Sequence, residues 1–168
     1  PNAPAIPVTI NQGYVMPAWY DILEMSLERK IDTAQIEQSA SSIRALIAQE
    51  NERGVPSEHI VIAGFSQGGA VAYQTALSYD KPLAGLLTLS TYLATKDSLV
   101  LSDANKNLKI AIHHGTQDPV VPVQLGQEAK AWLESKGYQP QFYSYPMAHQ
   151  VCMPQLKIIG KWLNDVLA

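Results

Sequence analysis

The stretch His59-Ile60-Val61-Ile62-Ala63-Gly64-Phe65-Ser66-Gln67-Gly68-Gly69-Ala70-Val71-Ala72-Tyr73 decides how the rest of the chain is read. Its first five residues are a short, β-branched, apolar run, the pattern of a strand buried on both faces. Its last five are small and apolar and lead into Ala76 and Leu77, which predicts a tightly packed helix over Gly69 to Ser78. Between them lies Gly64-Phe65-Ser66-Gln67-Gly68, a G-x-S-x-G pattern in the strand–turn–helix context that gives it chemical meaning. A serine on so tight a turn sits in strained backbone, and Gly64 and Gly68 are expected to remove the collisions that side chains would make there. The turn presents the Ser66 hydroxyl at the carboxyl end of the strand. It also points the N–H of Gln67, at the start of the helix, to where an oxyanion would form.

The same alternation of short apolar runs and helical spacing extends outward in both directions. Asp32 followed by Gln35 resembles a capping box, and Ile36, Ala40, Ile43 and Ile47 recur at helical spacing up to a stop at Gly54. Downstream, Leu83–Leu89, Leu108–Ile112 and Gln141–Tyr145 read as strands, and Val123–Lys136 and Gln155–Leu167 as helices. Strands alternating with helices form parallel βαβ units, which predicts an α/β domain with helices on both faces of one sheet. Residues 1 to 31, with prolines at 1, 4, 7 and 17, read as a long irregular loop. The 168 residues, 46% hydrophobic, suit one domain over residues 1–168.

A serine hydroxyl is a weak nucleophile without a base in reach and a third group to orient that base. Of the four histidines, His59 is placed at the opening of a strand, His113 within one and His114 at a strand end. His149 instead follows the Gln141–Tyr145 strand in the loop Pro146-Met147-Ala148-His149, on the side where the carboxyl ends of parallel strands gather beside Ser66. The acid should lie in a loop after a strand, between serine and histidine in chain order. Asp118, in His114-Gly115-Thr116-Gln117-Asp118-Pro119, meets both conditions, whereas Asp80, Asp97 and Asp103 do not. A catalytic triad of Ser66, Asp118 and His149 is the resulting expectation.

Composition narrows the other possibilities. A formal charge of −3 with scattered basic residues argues against nucleic acid, and no apolar run nears the roughly 18 residues that cross a bilayer. The single Cys152 cannot form an intrachain disulfide, which fits a cytoplasmic protein. No zinc-binding spacing or nucleotide-binding glycine motif is present, so the chemistry is expected to need no cofactor. A homodimer is compatible with the sequence.

With these residues placed, the chain resembles the phospholipase/carboxylesterase family, which includes bacterial carboxylesterases and acyl-protein thioesterases. The resemblance runs through Pro1-Asn2-Ala3-Pro4, Pro7-Val8-Thr9-Ile10-Asn11, Met16-Pro17-Ala18-Trp19-Tyr20-Asp21, Gly64-Phe65-Ser66-Gln67-Gly68-Gly69, His114-Gly115 before Asp118, and Pro146-Met147 before His149. It implies an α/β-hydrolase fold, a Gln67 amide in the oxyanion hole, and an apolar acyl pocket for which Leu93 and Val120 are the candidates. The leading expectation is a serine carboxylesterase acting on short- to medium-chain acyl esters. An acyl-protein thioesterase or lysophospholipase is the alternative, and a non-catalytic hydrolase-like binding module the alternative of another class. Members of the family carry a strand and a His-Gly-Leu-Gly-like loop ahead of the Pro-x-Ala-Pro segment, where a second oxyanion donor resides. Neither precedes Pro1 here, so the sequence reads as the remainder of a longer protein. Loss of such a donor costs about 2.7–4 kcal/mol of transition-state stabilisation in a comparable hydrolase.

Overall fold

The computed structural model of the chain describes residues 1–24 and 31–168. The front of the chain departs from the expected irregular loop. Strands β1 (Ala5–Val8) and β2 (Tyr14–Pro17) pair antiparallel in a register running from Ala5 opposite Pro17 to Val8 opposite Tyr14. Prolines are tolerated because both strands of a two-stranded ribbon are edges, where a missing N–H can face away from the partner. Gln12 and Gly13, at φ 59° and 76°, close the connection, and Gly13 N–H donates to the Val8 carbonyl at 3.0 Å. Residues 25–30 of the expected loop lie outside the described residues.

Helix α1 (Thr33–Glu52) begins as its sequence predicts, with the Asp32 carboxylate accepting from Gln35 N–H at 3.0 Å. Only half of the capping box forms. Gln35 Oε1 accepts instead from the Asp21 backbone N–H at 2.7 Å, which ties the segment after β2 to the start of the helix. Ile36, Ala40 and Ile47 are buried, and Gly54, at φ 94°, lies just beyond the C-terminal end.

The remaining elements follow in alternation: β3 (Val61–Phe65), α2 (Gln67–Ser78), β4 (Gly85–Leu89), β5 (Lys109–Gly115), α3 (Val123–Ser135), β6 (Gln141–Tyr145) and α4 (Met153–Leu167). The four strands form one parallel sheet in the order β3-β4-β5-β6. Strand side chains alternate between faces. Ile62, Leu86, Ile110 and Ile112 meet Tyr73, Ala76 and Leu77 of α2 and Ala129 and Leu133 of α3. Leu87 and Ala111 meet Ile159 and Trp162 of α4 on the opposite face. Each Leu or Ile among them, fully buried, contributes about 1.5–3 kcal/mol. Helix α1 packs behind α2, where Ile36 and Ala40 lie with Ala70 and Val71. The small residues predicted to pack tightly do so: nine of the twelve residues of α2 are buried.

Strand β3 was expected to be buried on both faces, and it is not. It sits at the edge of the described sheet, and Ala63 and Phe65 are exposed along one face. A cleft of about 450 Å³ runs beside it, lined by Trp19, Ile43, Ala63, Gly64 and Gly68 among others. His59 also differs from expectation, lying in a short 3-10 turn, Ser57–His59, before the strand begins. The functional consequence of the parallel order is that every strand ends on the same side. Ser66, Ser90, Thr116 and Pro146, the residues immediately after the four strands, therefore share one end of the sheet.

Candidate active site

Ser66 adopts φ 53° and ψ −122°, a conformation that costs a non-glycine residue on the order of 1–3 kcal/mol. Its surroundings enforce it. Ser66 N–H donates to the Leu89 carbonyl at 2.9 Å, and Ser66 C=O accepts from Gly69 N–H at 2.9 Å and from the Thr91 hydroxyl at 2.6 Å. The glycines act differently from the sequence expectation. A Cβ on Gly64 would lie 2.2 Å from the Gly68 carbonyl oxygen, so Gly64 is required. On Gly68 it would meet only the Trp19 indole ring, no closer than 3.6 Å, an ordinary contact. The second obligatory glycine is Gly69, where a Cβ would lie 2.4 Å from the Thr91 methyl.

The three residues expected to form a triad come together from three loops. His149 Nε2 lies 3.0 Å from Ser66 Oγ, and His149 Nδ1 lies 2.7 Å from Asp118 Oδ2. With Asp118 ionised, Nδ1–H donates to it and Nε2 is left to accept the serine proton. Asp118 Oδ1 accepts from the N–H groups of Val120 and Val121 at 2.9 and 2.8 Å. Burial pushes the Asp118 carboxyl up, but the bonds from His149, Val121 and Val120 outweigh it and hold the group below its ordinary 3.8. The carboxylate is thus ionised above that range. The stability it contributes is complete there and is lost only as pH falls through the lowered value.

Gly115 explains how His149 reaches Asp118. A Cβ there would lie 2.3 Å from the Met147 carbonyl oxygen and 2.5 Å from that of Ala148, so only glycine admits the histidine loop so close. Thr116 N–H to the Tyr145 carbonyl (2.8 Å) and Gln117 N–H to the Met147 carbonyl (3.1 Å) then stitch the two loops together. The acids set aside on sequence, Asp80, Asp97 and Asp103, are all exposed.

His113 and His114 are fully buried within β5. The His113 ring stacks on Tyr143 at 4.8 Å, and its edge faces Tyr145, whose ring lies parallel at 5.8 Å with its hydroxyl 2.8 Å from His113 Nδ1. Burial lowers its pKa from 6.5 to about 4 and also lowers that of His114. His114 Nε2–H donates to the Val121 carbonyl at 2.8 Å, which steadies the turn that binds Asp118. Because the folded pKa of His113 is depressed, the unfolded chain takes up a proton below 6.5 that the folded chain refuses until about 4. Stability is therefore complete above 6.5 and falls through that window. His113→Phe, which keeps an aromatic ring beside the tyrosines, should shrink by about 2 kcal/mol the loss of urea stability between about pH 7.5 and about pH 5. An unchanged loss would show that His113 does not carry it.

Phe65, Thr91 and Gly115 belong to the site although sequence reasoning did not single them out. The Phe65 ring packs 4.7 Å from the His149 ring, tilted by 47°. It occupies the unspecified position of G-x-S-x-G, so the motif carries no signal for it. The two acyl-pocket candidates separate. Val120 is 39% exposed beside Asp118, at the rim of the triad. Leu93 is buried with Ala129 and Leu133 in the core, and the cleft it lines with Lys96, Glu128, Ala131 and Trp132 contains no triad residue. Gln67, as the first residue of α2, has a backbone N–H without an intrahelical acceptor.

A strained serine between a parallel strand and a helix, with a histidine and a buried carboxylate in line, defines a serine hydrolase of the α/β-hydrolase fold. The chain belongs to the phospholipase/carboxylesterase family, whose model matches residues 1–167. It is 38% identical to acyl-protein thioesterase 1 of Neurospora crassa over 177 residues, covering 99% of this chain and 72% of that protein. It is 36% identical to acyl-protein thioesterase 1 of Mycosarcoma maydis over 183 residues, covering 99% and 76%. Among solved structures, Arabidopsis thaliana SOBER1 superposes with a TM-score of 0.92 at 31% identity, over all of this chain and 82% of that one. The protein is accordingly a serine hydrolase acting on carboxylic ester or thioester bonds.

Proposed function

We propose that the protein is an acyl-protein thioesterase, which removes acyl groups from cysteine thioesters through an acyl-Ser66 intermediate. The observation that carries the chemistry is the unbroken line of hydrogen bonds from Ser66 Oγ through His149 to Asp118. In this reading Ser66 Oγ attacks the thioester carbonyl while His149 Nε2 takes its proton, and Asp118 stabilises the imidazolium. The Gln67 N–H receives the developing oxyanion. The thiol departs, taking the proton from His149, and a water activated by the same nitrogen releases the acid. Phe65 and Val120 offer apolar surface beside the triad for the start of an acyl chain.

The two fungal relatives favour the thioesterase over the short-chain carboxylesterase that leads the sequence expectations. A complete hydrogen-bonded triad in a serine hydrolase family sets the non-catalytic binding module aside. No helix among the described residues is long and apolar enough to cross a membrane. A cytoplasmic location suits this reading, since reduced thiols are the substrates of S-acylation.

Comparing kcat/KM for an S-acyl peptide with that for the oxygen ester of the same acyl chain tests the proposal. A thioester preference of tenfold or more is expected. Equal rates, or faster turnover of short p-nitrophenyl esters than of either, would return the protein to the carboxylesterases.

A further inference from the structure

The Gln67 N–H can serve an oxyanion only if it is aimed, and two side chains outside the triad anchor the two residues whose peptide carries it. A trans peptide keeps its C=O and N–H antiparallel in one plane, and the chain has no cis peptides among the described residues. Whatever fixes the Ser66 carbonyl therefore fixes the direction of the Gln67 N–H. Thr91 does so by donating its hydroxyl proton to that carbonyl at 2.6 Å. The Gln67 carboxamide is used at both ends: Oε1 accepts from Trp19 N–H at 3.1 Å and Nε2 donates to the Tyr20 carbonyl at 3.0 Å.

The two anchors are joined to each other. Tyr20, fully buried, shares a hydrogen bond of 2.8 Å between its hydroxyl and that of Tyr92, the neighbour of Thr91. The Trp19 carbonyl accepts from Ser39 Oγ on α1, and Asp21 N–H donates to Gln35. The contacts thus close a ring from Ser66 through Thr91, Tyr92 and Tyr20 to Gln67. It draws the segment after β2 and the loop after β4 against the nucleophile turn.

Resting on the reading of Ser66 as nucleophile, we propose that the Thr91 hydroxyl and the Gln67 carboxamide are positioning groups that aim the Gln67 amide at the oxyanion. Their hydrogen bonds go to the Ser66 carbonyl and to the Trp19–Tyr20 backbone, and not to the His149 ring. Their loss should lower kcat and leave KM and the pH dependence of kcat/KM in place.

Thr91→Val removes the hydroxyl at nearly constant shape, and Gln67→Glu puts a carboxylate oxygen against the Tyr20 carbonyl. Each, assayed in the full chain with a p-nitrophenyl ester, should lower kcat about tenfold, part of the 10²–10³ that a whole donor supplies. KM should stay within twofold. Affinity for an aryl boronic acid, which mimics the tetrahedral intermediate, should fall by the same factor as kcat/KM. Thr91→Ser should restore kcat to within about threefold of wild type, and Gln67→Leu stands in should Gln67→Glu not fold. Kcat within twofold of wild type for Thr91→Val and the Gln67 variant overturns the proposal. So does a lowered kcat with undiminished boronic acid affinity, or a Thr91→Ser variant no better than Thr91→Val. Ser66→Ala run in parallel separates the two levels. If it is inactive while Thr91→Val and the Gln67 variant are wild-type-like, the positioning fails and the nucleophile stands. If it is active, the reading beneath fails.

Discussion

Ser66→Ala is expected to lower ester hydrolysis by about 10⁶, the size of effect seen when the nucleophile of another serine hydrolase is removed. Its stability should be nearly unchanged, for a reason specific to this turn. A serine that precedes a helix usually caps it, and replacing such a cap by alanine costs about 0.5–2 kcal/mol. Ser66 stands at the N-cap of α2 without making that bond, because its Oγ is turned to His149 instead. The backbone at φ 53° strains alanine as much as serine, and the bonds it accepts from Thr91 and Gly69 and donates to Leu89 involve main-chain atoms of residue 66. In the proposed reading the hydroxyl serves the reaction; in the structure it does not cap the helix. A p-nitrophenyl ester assay beside a urea titration checks both halves. Residual activity above about 1% would sink Ser66 as nucleophile, given the effect expected. A stability loss above about 1 kcal/mol would show that the hydroxyl caps the helix after all.

Asp118→Asn should lower kcat by about 10⁴ with the fold retained. Asparagine can keep its carbonyl oxygen on the Val120 and Val121 N–H groups, so the turn survives. Its NH₂ then faces His149 Nδ1, 2.7 Å away in the wild-type geometry, and a donor there obliges Nδ1 to accept. The ring proton moves to Nε2, and the base has no lone pair for Ser66. The neighbouring His114, 3.9 Å from Asp118 Oδ2, cannot substitute, because its Nε2 is committed to the Val121 carbonyl and burial holds it neutral. An effect under tenfold would move the acid role to another residue.

Particular residues show why some of this was legible before the fold and some was not. The strands β4, β5 and β6 and helices α2 to α4 follow from apolar runs and spacing that burial by neighbours only reinforces. β1 and β2 escaped because prolines obscure a ribbon whose pairing depends on partners six to twelve residues away. Asp32 capped α1 as its pattern predicts, but Gln35 was drawn off by the Asp21 backbone, a competitor that local sequence does not reveal. The motif suggested Gly64 and Gly68 as the steric pair. The obligatory second glycine is Gly69, because the crowding atom belongs to Thr91, 22 positions downstream on the next strand's loop.

By itself the sequence determined the α/β alternation, the nucleophile turn and the order of Ser66, Asp118 and His149, because each rests on local periodicity or on a chain-order rule of parallel sheets. Only the tertiary structure decided what surrounds them: Phe65 against His149, Gly115 admitting the histidine loop, Leu93 in the core rather than at the site, and Thr91 and Gln67 holding the Ser66–Gln67 peptide. These are contacts between residues 25 to 84 positions apart in the chain. Their geometry is set by how closely helices and loops pack on the sheet, to within the width of a methyl group, and no local pattern encodes that distance.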